Sequence, residues 1–171
     1  MNIKIREYKD NDFEFVRKLS RKYLLDSVPE LRLADLSEAQ KMERMLNWYE
    51  QIVKKIKNIP NTKTFIALDK DDNRLGYVIV FWGAKDDFRP QRQGFLCDIA
   101  VKEEYWGKNV ATKLMETAEN YVKNMGAEYI ALNVSAYNER AINFYRKLGY
   151  VDEWKMMGKK LDSSGIKSIR D

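Results

Sequence analysis

The spacing of apolar positions changes several times along the 171 residues, and each change marks an element. Residues 2–7, NIKIRE, set Ile3 and Ile5 between polar neighbours and predict a first strand. The period then lengthens. Phe13, Val16, Leu19 and Tyr23 share one face of a helix over 12–26, capped by Asn11 or Asp12. Pro29 interrupts that pattern, and Ser37 with Gln40 forms the capping box of a second helix. In it Met42, Met45, Leu46, Tyr49, Ile52, Val53 and Ile56 keep helical spacing as far as Asn58 and Pro60. This stripe reads as core packing, with Trp48 and Tyr49 set apart from that reading. From residue 63 the period shortens again. TFIALD and RLGYVIVFW on either side of DKDDN predict an antiparallel hairpin whose second strand is buried on both faces, and GFLCDIAV extends it to a meander after the loop GAKDDFRPQRQ.

Residues 94–112, GFLCDIAVKEEYWGKNVAT, carry that third strand through a turn containing Gly107 into a helix over 110–125. Val110, Leu114, Met115, Ala118, Tyr121, Val122 and Met125 point inward on it, and Gly126 takes the position just past its end. YIALNVSA predicts a further strand. Asn138 caps the short helix ERAINFYRKL, which stops at Gly149, and YVDEWKMMGKKL closes as a last strand. The order is β-α-α-β-β-β-α-β-α-β, an α/β (α+β) fold in one domain over 1–161 with a polar tail over 162–171. A strand that turns directly into a helix aims unpartnered N–H groups and a partial positive charge at whatever sits in the turn, which suits an anion. With a single glycine, plain packing explains the same stretch.

Composition narrows the chemistry. The chain has no histidine, which removes Ser–His and Cys–His hydrolases and histidine-ligated metal sites and leaves carboxylates, tyrosine, lysine or water for proton transfer. The only cysteine, Cys97, lies in the apolar strand, so no internal disulfide forms and a cytoplasmic location is expected. MNIKIREYKDND is charged within four residues, and no apolar run approaches a membrane span. The net charge of +5 favours an anionic small molecule. Nucleic acid is not the expected partner, because Lys and Arg do not interleave with aromatics in one stripe.

The element order and two motifs resemble the GNAT superfamily of N-acetyltransferases. The first motif, Val101–Leu114, is similar to the acyl-CoA pyrophosphate loop (Arg/Gln)-x-x-Gly-x-(Gly/Ala); the second, Asn138–Tyr150, is similar to N-x-x-A-x-x-(F/L)-Y-x-x-x-G-(F/Y). With the strands between them they cover 94–161. The first departs from the pattern twice: Trp106 stands at the Arg or Gln position and Asn109 at the first glycine. After glycine, asparagine enters the left-handed region most readily, and Ala111 still allows close approach.

The resemblance implies a central, mixed, mostly antiparallel sheet of six to seven strands flanked by four helices, and acetyl-CoA as co-substrate with no metal. It assigns the pantetheine arm to the backbone of Ile99, Ala100 and Val101, and the pyrophosphate to the amides of Gly107, Lys108, Asn109, Val110, Ala111 and Thr112, with Trp106 beside them. Asn138 would bond the arm, Ala141 leave room for it, and Tyr145 sit beside the sulfur and protonate the departing thiolate. Asp98, the one charge in its strand, is the candidate general base for the attacking amine; a water chain, or a purely structural ion pair, are the alternatives. The acceptor, a small-molecule amine, polyamine, or peptide or protein amino group, is expected near 24–49, 85–93 and 135–137. There Asp26, Glu30, Asp35, Glu38 and Glu43 suit a cationic amine, though a solvated helix face explains them at least as well. The competing reading is a catalytically silent acyl-CoA-binding regulator. A homodimer is compatible with the sequence.

Overall fold

The strand expected to be buried on both faces is the centre of the molecule. A computed structural model describes residues 1–23, 31, 33–57, 59–88 and 90–161, the side chains of 48, 49 and 51–57 aside. In it Leu75–Val80 of strand β3 (Arg74–Ala84) are buried without a break. β3 lies in the middle of a sheet ordered β1-β2-β3-β4-β5, with β1 at Lys4–Glu7, β2 at Thr62–Leu68, β4 at Gln93–Val101 and β5 at Ile130–Leu132. The first four strands pair antiparallel and β5 joins β4 in parallel. Helices α1 (Phe13–Lys22), α2 (Glu38–Lys57), α3 (Val110–Asn124) and α4 (Glu139–Lys147) follow the expected order. The part of the first helix expected over 24–26 and the tail 162–171 lie outside the described residues.

Each face of the sheet has its own core. On one, α3 sets Val110, Leu114, Met115, Ala118 and Val122 against Phe65, Ala67, Leu75, Val78, Val80, Leu96 and Val101. On the other, Val16 and Leu19 of α1 meet Ile66, Leu68, Tyr77, Ile79 and Ala100. Each of the Val, Leu, Ile, Met and Phe side chains among them contributes about 1.5–3 kcal/mol on leaving water. A Cβ built on Gly94 would lie 2.8 Å from a Val122 methyl, so β4 and α3 touch backbone to side chain at this point and only glycine fits without a shift.

Several expectations are corrected. The stretch 150–161 forms no strand. Neither alternate set of its residues is uniformly apolar, so it has no face to bury. Val151, Trp154, Met156, Met157 and Leu161 are exposed instead, with Trp154 stacked on Phe88 at 6.0 Å. Met125 is the C-cap of α3 and exposed, because the last buried turn of that helix ends at Val122. Met42 is also exposed; it sits at the edge of the α2 stripe, about 60° round from the buried Met45. The Ser37–Gln40 capping box does form, through bonds of 3.0 and 3.3 Å.

Asp12 does not cap α1 with its side chain. Fully buried, its carboxylate accepts hydrogen bonds from Arg6 at 2.6 and 2.9 Å, Arg74 at 2.6 Å and the Lys9 amide at 2.8 Å, joining β1, β3 and the 3-10 turn Asp10–Asp12. Burial alone would raise its pKa; the two guanidinium groups and the amide outweigh it and hold the carboxyl far below the usual carboxylate range. The contribution to stability is therefore complete above the unfolded value near 4 and is lost as pH falls below it. Asp12→Asn is expected to cost about 2–4 kcal/mol at pH 7 and to flatten the acid limb of the stability–pH curve, measured by urea denaturation between pH 3 and 7.

Candidate functional site

The candidate site begins where β4 and β5 part. Gly94, Phe95 and Leu96 pair with Ile130, Ala131 and Leu132, and there β5 ends while β4 continues to Val101 beside β3 alone. Adjacent residues Ile79 and Val80 of β3 pair with Asp98 and Leu96, so Cys97 is the extra residue of a β-bulge. The bulge resets the alternation. Cys97 turns toward the α1 core and Asp98 bonds Ser20 of α1, while Leu96, Ile99 and Val101 pack on the α3 side.

Beyond the bulge the main-chain directions follow from one bond. The Lys102 N–H donates to the Leu75 carbonyl, so residues 102 and 100 face β3, and Ile99 and Val101 present their N–H and C=O groups to the opposite, open edge. Of the three residues expected to serve the pantetheine arm, Ile99 and Val101 have this orientation. Ala100 is directed at Tyr77.

β4 then enters a 3-10 turn, Glu103–Tyr105, and a loop of two left-handed residues, Gly107 at φ 71° and Asn109 at φ 66°. Asn109 thus adopts the conformation that a glycine would take most cheaply. It is the N-cap residue of α3, and its side chain makes no capping bond, so the first amides of α3 point into the turn unscreened by a cap. A Cβ built on Gly107 meets nothing within 4 Å. An open loop, two positive φ angles and a helix N-terminus fit a phosphate-bearing ligand. Val110 is buried and offers only its backbone; Lys108 lies over the Tyr105 ring at 5.4 Å, and Ala111 and Thr112 are half-buried.

Trp106 is pinned by its own indole, whose Nε1–H donates to the Val101 carbonyl at 2.8 Å. Its ring lies 5.6 Å from that of Tyr23, at the end of α1, and 3.5 Å from the Arg140 guanidinium carbon. Arg140 belongs to the first turn of α4, so the two motifs meet here. At the head of α4 the Asn138 Oδ1 accepts the Ala141 N–H at 3.1 Å, the local cap that any helix N-terminus favours. Tyr145, two turns on, is half-buried against Phe144 and Tyr150 at centroid distances of 5.4 and 5.8 Å. Burial and then the charge of Asp98 push its phenol well above the usual range.

Asp98 is held firmly. Its Oδ2 accepts from the Tyr77 hydroxyl at 2.6 Å and the Ser20 hydroxyl at 3.0 Å. Burial pushes its pKa up, opposed by these two hydroxyls and the Ile99 amide. Burial likewise pushes the Cys97 thiol up to about 11, with Asp98 adding to the effect, so Cys97 stays a neutral thiol at pH 7. Ser20, Tyr77, Tyr23 and Arg140 are the site neighbours that sequence reasoning missed. Arg140 alone had a signal, being a cation two residues past Asn138 within the second motif.

Residues 25–150 match the family model described as the Acetyltransferase (GNAT) family. The chain belongs to this family. It is an acyltransferase, and acetyl-CoA is the donor on which the family relies. The uncharacterized N-acetyltransferase YdgE of Bacillus subtilis is 27% identical over 67% of this chain and 71% of its own length. N-alpha-acetyltransferase 30 of Schizosaccharomyces pombe is 36% identical over 51% of this chain and 56% of its own. Among solved structures, a putative acetyl transferase from Pyrococcus furiosus superimposes with a TM-score of 0.74 at 24% identity, over 94% of this chain and 100% of its own. AAC(6')-Iy in complex with the bisubstrate analog CoA-S-monomethyl-acetylneamine does so with 0.64 at 16% identity, over 95% and 99%.

Among the described residues no helix is long and apolar enough to cross a membrane, and no group of His, Cys, Asp or Glu could hold a metal ion. Of the acidic residues expected near the acceptor, Asp26 and Glu30 lie outside the described residues. Asp35 pairs with Lys160 at 3.0 Å and Glu38 with Lys41 at 2.6 Å, in exposed pairs of small energetic worth. The left-handed loop gives a direct test. Asn109→Ala is expected to lower stability by about 1–2 kcal/mol, read by thermal denaturation, while Asn109→Gly leaves the midpoint within the scatter of the wild-type measurement.

Proposed function

We propose that this chain transfers an acetyl group from acetyl-CoA to a primary amine, the two substrates being bound together. The observation that carries the reading is the open edge of β4 beyond Leu96, which runs on into the left-handed loop and has Tyr145 of α4 near enough to feel the Asp98 charge. Bound acetyl-CoA supplies a thioester carbonyl for an amine and a sulfur that leaves as a thiolate. Ile99 and Val101 would take the pantetheine arm as though it were a short strand, and the amides from Gly107 to Thr112 would hold the diphosphate. Asn138, with Oδ1 engaged in the helix cap, has its NH2 group for the arm.

Tyr145 is the proposed general acid. Its raised pKa keeps the phenolic proton in place throughout the neutral range, so the residue is always charged with the proton that the thiolate needs. Asp98 is the proposed base, receiving the amine proton directly or through one water. Burial makes its carboxylate more basic than an exposed one, and Tyr77 and Ser20 fix its orientation. The acceptor class draws support from N-alpha-acetyltransferase 30 and from the bisubstrate analog bound to AAC(6')-Iy, which make a peptide N-terminus and an amino sugar the first amines to try.

The acyl-CoA-binding regulator has one observation in its favour. The Trp106 indole already occupies the Val101 carbonyl, one of the groups the arm would use. Incubation with acetyl-CoA and a panel of peptides, polyamines and aminoglycosides, with free thiol monitored, separates the two. Amine-dependent thiol release supports the transferase; tight acetyl-CoA binding with no release for any amine supports the regulator.

Tyr145→Phe is expected to lower kcat by about 100-fold or more while acetyl-CoA affinity stays within twofold, measured by steady-state kinetics and calorimetry. A base must be deprotonated to act, so the wild-type rate should fall as pH drops through the raised Asp98 pKa. Asp98→Asn should abolish that limb of the pH–rate profile, and a folded variant that keeps the limb removes Asp98 from the role.

A further inference from the structure

We infer that the cleft between β1, the start of β3 and the 3-10 turn Asp10–Asp12 is a binding site for a small, multiply charged oxyanion, a diphosphate or a polycarboxylate. It is separate from the cradle on β4 and does not rest on the donor reading above. Antiparallel pairing sets Lys4 opposite Leu68, Arg6 opposite Ile66 and Arg74 opposite Leu68. Ile66 and Leu68 belong to the core beneath α1, so the three cations occupy that same face of the sheet. Charge takes the place of core at this corner. Together with Lys9 from the turn, they line a cleft of about 320 Å³, at the small end of ligand sites. The sheet order puts β1 at the edge opposite β5, and no residue of β4, of the loop 106–109 or of α4 lines the cleft.

The buried Asp12 accounts for part of this charge. It pairs with Arg6 and Arg74, whose side chains keep 22% and 32% of their surface exposed. A guanidinium has five N–H groups. Arg6 gives two to Asp12 and one to the Glu7 carbonyl, and Arg74 gives one to Asp12 and one to the Asn11 carbonyl. Both therefore retain N–H groups without a partner among the described residues, on side chains that a buried carboxylate already holds still, and little freedom is lost when they meet a ligand. Lys4 and Lys9 are exposed and make no ion pair among the described residues. Asp72 also lines the cleft, and with Asp12 it offsets two of the four positive charges. The remaining excess is what an oxyanion would neutralise, with ammonium groups as point charges and guanidinium groups as directional donors.

The test is calorimetry at low salt with inorganic pyrophosphate and with citrate, on the wild type, Lys4→Gln/Lys9→Gln, Asp72→Asn and Lys108→Gln, each checked for folding by circular dichroism. The double variant should bind the tighter probe about 10–100-fold more weakly, since two ammonium groups are lost from side chains that hold no ion pair in the fold. Asp72→Asn should bind it about three- to tenfold more tightly, because a carboxylate leaves the cleft. Asparagine tolerates the φ of 61° at this position, so the turn is kept. Such a gain is not produced by a merely structural role for Asp72. Lys108→Gln, in the loop before α3, should stay within about twofold of wild type. A preference for pyrophosphate marks a phosphate ligand and a preference for citrate a carboxylate one, and both support the site. Wild-type affinity in the double variant would overturn it. So would a loss in Lys108→Gln as large as that in the double variant, which moves the anion to the loop, or a folded wild type that binds neither probe.

Discussion

The parting of β4 from β5 after Leu96 is the constraint on which the site depends. A sheet edge left open inside a fold is costly, because every unpaired N–H and C=O must find a partner or meet water. Here the bulge at Cys97 determines what that edge offers. It shifts the phase of β4 by one residue, so Ile99 and Val101 turn their polar groups outward in the stretch that has lost its neighbour. The same shift brings Cys97 and Asp98 together on the α1 side, where Ser20 and Tyr77 can reach the carboxylate. One inserted residue therefore sets both the open edge and the placement of the buried acid.

The two halves of the site are anchored unequally. The loop half is anchored by α3, which packs on β2, β3 and β4 and buries Val110 directly after Asn109. α4 is nine residues long, too short to hold itself in water, and has no fully buried residue. It is fastened by partly buried Phe144, Tyr145, Leu148 and Tyr150 and by the Tyr150 hydroxyl, which donates to Glu119 of α3 at 3.0 Å. The position of Tyr145 is thus set through its neighbours on α3.

Much of this was legible in the sequence, and the physical reason differs from feature to feature. The unbroken apolar run of β3, the capping box at Ser37 and the left-handed turn at Asn109 are local properties, decided by a few adjacent residues. The final strand over 150–161 was misread because apolar content without alternation gives a strand no face to bury. Asp98 stood out as a lone charge in an apolar strand, but Ser20 is 78 residues away and Tyr77 21, and no spacing rule joins them. Asp12 looked like a cap because it precedes a helical stripe. Its two arginine partners, 6 and 62 residues distant, draw the carboxylate elsewhere.

Trp106 shows what a loop gains from a flat, rigid side chain with a single donor. That donor goes to Val101, which satisfies a carbonyl on the open edge and fixes the ring. The fixed ring then has two faces' worth of contact to offer, and it meets Tyr23 from α1 and Arg140 from α4. An arginine in the same place would hold its charge on a flexible stem, with several rotatable bonds to freeze on binding. The tryptophan instead links three elements, α1, the loop and α4, at the point where the two motifs come together, and a helix too short to stand alone acquires a second fastening.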